Sequence, residues 1–504
     1  MLRFRRDVLR LAALAGIVSL AAAAPLPVAG SAAASSTPGP ALVAAEVSPA
    51  VEMVRTDYSA TVIVPSNHVT QGAFAAESAK LTAEQNDGQL GSSVQARNEQ
   101  WASDLAADPS RFAHPGPPFH IEHAQVTFLC TGWFVTPTGY LISAAHCVTR
   151  DSSVTQALVS AVLPPFIAKD YRQTLRNFAN GGVVMNQTIA SDLHRWEVEW
   201  YAANVQVSDL TSSFHVALGV RGAHGQRGAQ MMPATVVAHG SVYPGRDYAL
   251  FKVNGYSNLP TLPLGSGANP QVGDNLYVDG FPGTVTGNSA FTAQSQAAPT
   301  FTSGLLSAYR TSVDHVPYLQ TQAPAYHGNS GGPVLDTQGN VIGTLIAGAS
   351  AGGQVVAGYQ FVLPVAVIRT VLAEHGIHPA AGPVTSQYDA ALADYYQGYY
   401  KRARPEFQAV LAAFPQHPYA ASYIRLSQRQ IAEGHDRTPS FPWLLPLIAL
   451  AMLALAGGAV LWARDRQQRP PGPATDPSGQ PLPWPPPAGQ APQLGDDPGW
   501  PPAH

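Results

Sequence analysis

Gly328-Asn329-Ser330-Gly331-Gly332-Pro333 decides how this chain reads. Glycines on both sides of one serine predict a tight turn, because glycine adopts backbone conformations that a side chain resists. Main-chain N–H groups in such a turn can cradle negative charge beside the hydroxyl, and a base with an orienting carboxylate would activate that hydroxyl as a nucleophile. Both lie upstream. Ser143-Ala144-Ala145-His146-Cys147 follows the apolar runs Trp133-Phe134-Val135 and Tyr140-Leu141-Ile142, which predict a strand pair turning at Pro137-Thr138-Gly139. Arg246-Asp247-Tyr248-Ala249-Leu250-Phe251 sets an acid at the mouth of another apolar strand. The chain order is His146, Asp247, Ser330.

That order, with its flanks, resembles the trypsin-like (chymotrypsin-clan) serine peptidases, and among them the HtrA/Deg type. Leu259 to Leu264, leading to Val272-Gly273-Asp274 and Gly280-Phe281-Pro282-Gly283, is similar to the linker and first strand of that family's second barrel. Val341 to Leu345 and Tyr359 to Pro364 are similar to its closing strands. The resemblance covers residues 125 to 375 or thereabouts. It implies a mainly β, two-barrel chymotrypsin-like protease domain that cleaves peptide bonds through an acyl-enzyme. In that scheme Ser330 attacks, His146 moves the proton, Asp247 orients the imidazole, and the N–H groups of Gly328 and Ser330 form the oxyanion hole. No cofactor or metal is implied.

Two departures from the HtrA pattern stand out: His327 occupies a position where proline is usual, and no PDZ-like sequence follows the protease region. Six residues before Ser330, where an acid would select Arg or Lys, the chain has Pro324 between Ala323 and Ala325. The expected pocket, with Pro324 in its wall, takes small or medium apolar side chains. Cys130 and Cys147 are the two cysteines of the chain and flank the histidine on neighbouring strands. An oxidising compartment would let them pair; two free thiols or a zinc pair are the alternatives.

Other chemistries compete for the same residues. Gly328-Asn329-Ser330-Gly331-Gly332 also satisfies G-x-S-x-G, the nucleophile elbow of esterases of the α/β-hydrolase type, but that fold needs its acid and histidine after the serine. Asp336 and His375 lie there in no matching context. A protease fold acting as a catalytically silent scaffold for envelope partners is the other alternative. His120-Ile121-Glu122-His123 lacks the helical spacing of a zinc motif and reads as a strand, so no metal is assigned.

The 504 residues allow about three domains of ordinary size. Charged residues make up only 12%, with a formal net charge of -4 and no dense basic patch, which argues against a nucleic-acid partner. The 45 glycines and 45 prolines indicate many turns.

Residues 1–34 read as a secretory signal: Arg3, Arg5, Arg6 and Arg10, an apolar run from Leu11 to Ala24, then small residues with cleavage expected near Ala32 to Ala34. Residues 35–118 are either a pro-region or a segment inserted after a first barrel strand around Thr61 to Val64. The protease domain is expected over 119–378, with an insertion at about 151–233 because His146 and Asp247 are 101 positions apart. Within it, Ser153 to Phe178 predicts two short helices broken at Pro164-Pro165, while Glu197 to Ala203 and Phe214 to Val220 predict strands. Residues 386–436 carry helical periodicity and resemble one and a half tetratricopeptide hairpins, read as a stalk on the protease domain or a partner-binding module.

Phe441 to Ala463 is free of charge, has Trp443 and Trp462 near its ends and is followed by Arg464, Arg466 and Arg469. It predicts a single transmembrane helix roughly 34 Å long. Residues 464–504 form a Pro-rich tail, expected to be disordered and to lie in the cytoplasm, with a possible adaptor partner. The signal places the protease domain on the outer side of the cell membrane, where proteins or peptides would be its substrates. Natural substrate, oligomeric state and activation trigger are not encoded in these patterns.

Overall fold

The structure is a computed structural model describing residues 38–221, 227–266, 270–351, 354–439 and 444–468. The expected signal at 1–34 and most of the expected tail lie outside the described residues. The chain divides into two units, Met1–Thr438 and Pro439–His504.

Two closed six-stranded antiparallel barrels make the first unit's frame. The first has the strand order β1-β2-β3-β6-β5-β4, with β1 Val51–Val69, β2 Ala113–Phe134, β3 Tyr140–Ser143, β4 Gln206–Arg221, β5 Arg227–His239 and β6 Ala249–Val253. The second runs β10-β11-β12-β9-β8-β7, from β7 Asn275–Gly280, β8 Thr300–Thr311 and β9 Pro317–Thr321 to β10 Pro333–Leu335, β11 Val341–Ala351 and β12 Gln354–Pro364. Closure pairs the barrel strands on both sides, while the outer part of β2 bonds to β1 alone. The mainly β, double-barrel fold is the one the motifs implied.

The first barrel begins well before residue 119. Its opening strand β1 pairs with β2 from Val51↔Trp133 out to Val69↔Ala113, so 35–118 is neither wholly a pro-region nor wholly an insertion. The inserted part is helical: Gln71–Asn86, Val94–Ala107 and the short Pro109–Phe112. These helices cover the outer half of the long hairpin, where Tyr58, Ala60, Val62 and Val64 are all buried. Alternate residues of a strand face the same side, which is why one side of this arm is apolar.

Ser152–Asn180 is one continuous helix of 29 residues despite Pro164 and Pro165. Both prolines lie on its exposed side, as do Ser160 and Ala161, whose carbonyls lose their usual donors. Val154, Leu158 and Leu163 are buried on the opposite side, joining the core under the arm. Glu197 to Ala203 falls inside a second helix, Gln187–Asn204, and not in a strand. Ile189, Leu193, Trp196 and Trp200 are buried at helical spacing, and that longer period overrides the local alternation. Phe214 to Val220 does lie in a strand, β4, which belongs to the barrel, so the insertion ends earlier than 233.

After β12, helix Val365–Glu374 leads to three more: Pro383–Tyr396, Tyr400–Ala413 and Ala420–Ala432. Tyr388, Leu392, Phe407 and Val410 join the core that also holds Trp133, Phe134 and Leu250 of the first barrel, along with Val43 and Val47 of the N-terminal helix Pro40–Val47. Thr261, on the linker between barrels, receives its own tie: its N–H donates to Thr385 Oγ1 at 3.1 Å. The helical unit thus shares its core with the first barrel.

The second unit contains helix Leu444–Gln468. Its segment Pro446–Gln468 is the one helix among the described residues that is long and apolar enough to cross a membrane, with mean hydropathy 2.1 over its best window. It runs a turn beyond the expected end at Ala463, and residues 441–443 lie outside the described residues.

Candidate active site

His146 sits on a short 3-10 turn, Ala145–Cys147, at the end of β3. Asp247, 1% exposed, precedes β6, the neighbour of β3 in the barrel. The pairing Ser143↔Ala249 therefore brings acid and histidine together although they are 101 residues apart. His146 Nδ1 lies 2.9 Å from Asp247 Oδ2, and the His146 main-chain N–H donates to Oδ1 at 3.0 Å. Oδ2 also accepts from the Tyr243 N–H at 3.1 Å. With the carboxylate gripped on both oxygens, the Nδ1–H tautomer is favoured and Nε2 is left as the free ring nitrogen. Burial and then the Asp247 charge hold the Tyr318 phenol well above its usual range, so it stays a donor to the Gly245 carbonyl.

Ser330 enters from the second barrel, just before β10. It lines one cleft of about 370 Å³ together with His146 and Asp247. The turn that carries it is glycine-dependent: Gly328 has φ +101°, and a Cβ there would lie 2.3 Å from the Phe281 carbonyl oxygen. Neighbouring donors are taken, since Asn329 N–H goes to Tyr326 O at 3.0 Å, Gly331 N–H to Leu345 O at 2.6 Å and Gly332 N–H to Asn329 O at 2.9 Å. The N–H groups of Gly328 and Ser330 make no hydrogen bond among the described residues. Those are the two donors the sequence singled out.

Cys130 and Cys147 are joined by a disulfide, with Cα atoms 6.3 Å apart. Together with His146 they bring ligand atoms within 4.8 Å, yet bonded sulfurs are poor metal ligands and the trio makes no metal centre. His120 and His123 both lie on β2, three residues apart and so on opposite faces of the strand.

Pro324 is misplaced as a pocket wall. The segment is extended, with Ala323 and Ala325 buried and Pro324 exposed between them, its carbonyl accepting from Thr302 Oγ1 at 3.0 Å. Ala325 lines the cleft in its place, together with Leu345, Ile346, Gly348 and Gln360. His327 also lines the cleft.

Thr131 is a site residue that motif reading missed. Its hydroxyl donates to Gly328 O at 2.7 Å and accepts from Phe281 N–H at 3.0 Å, while its own N–H donates to Ser330 O at 2.8 Å. Its position directly after Cys130 was the available signal.

Residues 130–343 match the family described as a trypsin-like peptidase domain. That stretch lies within the double barrel, and several of the proteins it resembles are serine proteases of the HtrA type. The chain is 30% identical over 124 residues to the serine endoprotease DegS of Salmonella typhimurium, covering 23% of this chain and 32% of that one. It is 31% identical over 169 residues to a probable periplasmic serine endoprotease, DegP-like, of Chlamydia pneumoniae, covering 33% and 30%. A solved serine endoprotease from Yersinia pestis aligns at TM-score 0.30 and 15% identity, over 67% of this chain and 66% of that one. The chain spans less than a third of the length of the curated relatives it matches.

Proposed function

We propose that this protein is a serine endopeptidase whose triad is His146, Asp247 and Ser330. The observation that carries the reading is the Asp247 grip on both Nδ1 and the main-chain N–H of His146, in the cleft that Ser330 shares. Ser330 Oγ attacks the scissile carbonyl carbon as His146 Nε2 takes its proton, and the tetrahedral oxyanion is held by the N–H groups of Gly328 and Ser330. Collapse breaks the C–N bond, the imidazolium gives the proton to the leaving amine, and water then hydrolyses the acyl-enzyme by the same route. Asp247 holds the tautomer and stabilises the imidazolium.

Labelling with a fluorophosphonate probe tests this. Wild-type protein in membranes should label and Ser330→Ala should not; absence of Ser330-dependent labelling would leave the silent scaffold as the better account. Esterase chemistry of the α/β-hydrolase kind has no support from a fold built of two antiparallel barrels.

The same proposal places the enzyme at the cell membrane through the apolar helix ending at Gln468, with barrels outside and the tail inside. It rests on that helix and on the signal-like N-terminus. Protease added to intact cells should remove a barrel epitope and spare a C-terminal tag; the opposite pattern would invert the topology.

A further inference from the structure

The cleft has two sides of different chemistry. On the His146 side it is walled by Val242, Tyr243 and the two carboxylates Asp151 and Asp247. On the Ser330 side it is walled by Ala325, Leu345, Ile346, Gly348 and Gln360, together with the exposed Tyr326 and His327. The Gly331 N–H bond to Leu345 O sets β11 directly behind the nucleophile, so this second wall is where the side chain preceding the scissile bond would lie.

Gln360 is the buried polar member of that wall. It sits on β12 between Gly348 of β11 and Thr321 of β9 and is only 2% exposed. Its Nε2 has no hydrogen-bond partner among the described residues. The neighbours that might have served it are committed elsewhere: Thr321 Oγ1 donates to Leu305 O at 3.1 Å, and the Gln320 carboxamide oxygen accepts from Arg310 Nε at 2.9 Å. A buried amide without a partner is a standing cost, which an acceptor on an incoming ligand removes. Its register partner Gly348 has no side chain to cover it, and both residues line the cleft.

Resting on the peptidase reading above, we propose that Gln360 is the specificity-determining residue of this cleft and selects substrates with a neutral hydrogen-bonding side chain, Thr or Asn in character, before the scissile bond. The apolar walls accept the methyl and methylene groups, and the carboxamide meets the hydroxyl or amide. A carboxylate at that position is disfavoured, because neither Ala325, Leu345, Ile346 nor Gly348 offers it a cation and a buried charge requires one.

Matched peptides test this by shape-conserving pairs, Thr against Val and Asn against Leu, and also Asp against Asn, all in one common hexapeptide. Two readouts on the full-length protein separate the pocket from the chemistry: kcat/KM with wild type, and Kd of the same peptides for Ser330→Ala. The expected result is Thr over Val and Asn over Leu by about 3- to 10-fold in both, as one neutral hydrogen bond supplies. In Gln360→Met the ratios should fall to one or invert. Val and Leu equal to or better than their partners in the wild type would overturn the inference, and so would Asp over Asn, which would make His327 the selector. Selective binding by Ser330→Ala with no wild-type turnover would sink the peptidase reading and leave the pocket assignment standing.

Discussion

The Thr131 hydroxyl donates to the Gly328 carbonyl at 2.7 Å across 197 residues of sequence, so a strand of the first barrel holds the turn that leads to Ser330 in the second. The same oxygen accepts from Phe281 N–H, and the Thr131 N–H holds Ser330 O. Thr131→Val keeps shape and removes the hydroxyl, leaving a buried carbonyl and a buried N–H without this partner. A stability loss of about 1–3 kcal/mol and roughly a tenfold drop in kcat/KM are expected. Denaturant titration alongside kinetics checks it; an unchanged kcat/KM would mean that the turn is held well enough by other contacts.

Asp247→Asn would keep an oxygen for the His146 main-chain N–H while turning an amide donor against Nδ1–H. The wrong tautomer follows, and the fluorophosphonate labelling rate should drop by at least about a thousandfold with the fold intact. Near-UV circular dichroism verifies the fold, and a loss under tenfold would show that Asp247 is dispensable for orientation.

The disulfide closes a loop of 17 residues that contains His146. Reduction, or the double substitution Cys130→Ala with Cys147→Ala, should lower stability by about 3 kcal/mol in the chain-entropy account. Thermal melts with and without reductant should differ by roughly 5 °C or more. Identical melts would indicate that neighbouring strands hold the loop unaided.

Burial pushes the Glu46 carboxyl up to about 7, and burial followed by the charge of Glu46 does the same to Asp389. Glu46 lies on Pro40–Val47 and Asp389 on Pro383–Tyr396, helices that are tied by Tyr396 OH donating to Ala41 O at 3.0 Å. Both groups bind protons more tightly folded than unfolded. Their contribution is fully favourable below the ordinary carboxylate range and is lost as pH rises through about 7. Glu46→Gln and Asp389→Asn should therefore raise the melting temperature by a few degrees at pH 8 and change it little at pH 4. Melts across that range decide the matter, and stabilisation confined to acid pH would reverse the sign.

What the sequence made legible follows the reach of each signal. The chemistry rests on short motifs with local causes: Gly328 and Gly331 need positive φ, and Tyr140 to Ser143 with Ala249 to Val253 are short apolar strands. The double barrel came through family likeness at those points. The outer structure did not. Glu197 to Ala203 alternates like a strand over seven residues, and only its place in an eighteen-residue helix burying Ile189, Leu193, Trp196 and Trp200 reveals the longer period. Pro164-Pro165 reads as a break unless one knows that it lies on the exposed side of the helix. β1 was visible only in part because its polar residues, such as Glu52 and Asp57, are buried by pairing with distant strands. Thr131 has only its place after Cys130 to mark it; its role exists only once two barrels meet.

β2 runs as one strand from Ala113 under the helical cover to Phe134 beside the candidate active site, paired with β1 from Ala113 to Trp133 except at Pro117 and Pro118. Side chains alternate along it, so losing one residue between Ala124 and Thr131 would turn either the buried face of the arm or the Thr131 hydroxyl the wrong way. Length changes there are confined to matched pairs on both strands. Single-residue insertions and deletions should be tolerated instead at the irregularity where Pro65↔Phe119 gives way to Ser66↔Gly116, beyond which the parity of the inner end is no longer at stake.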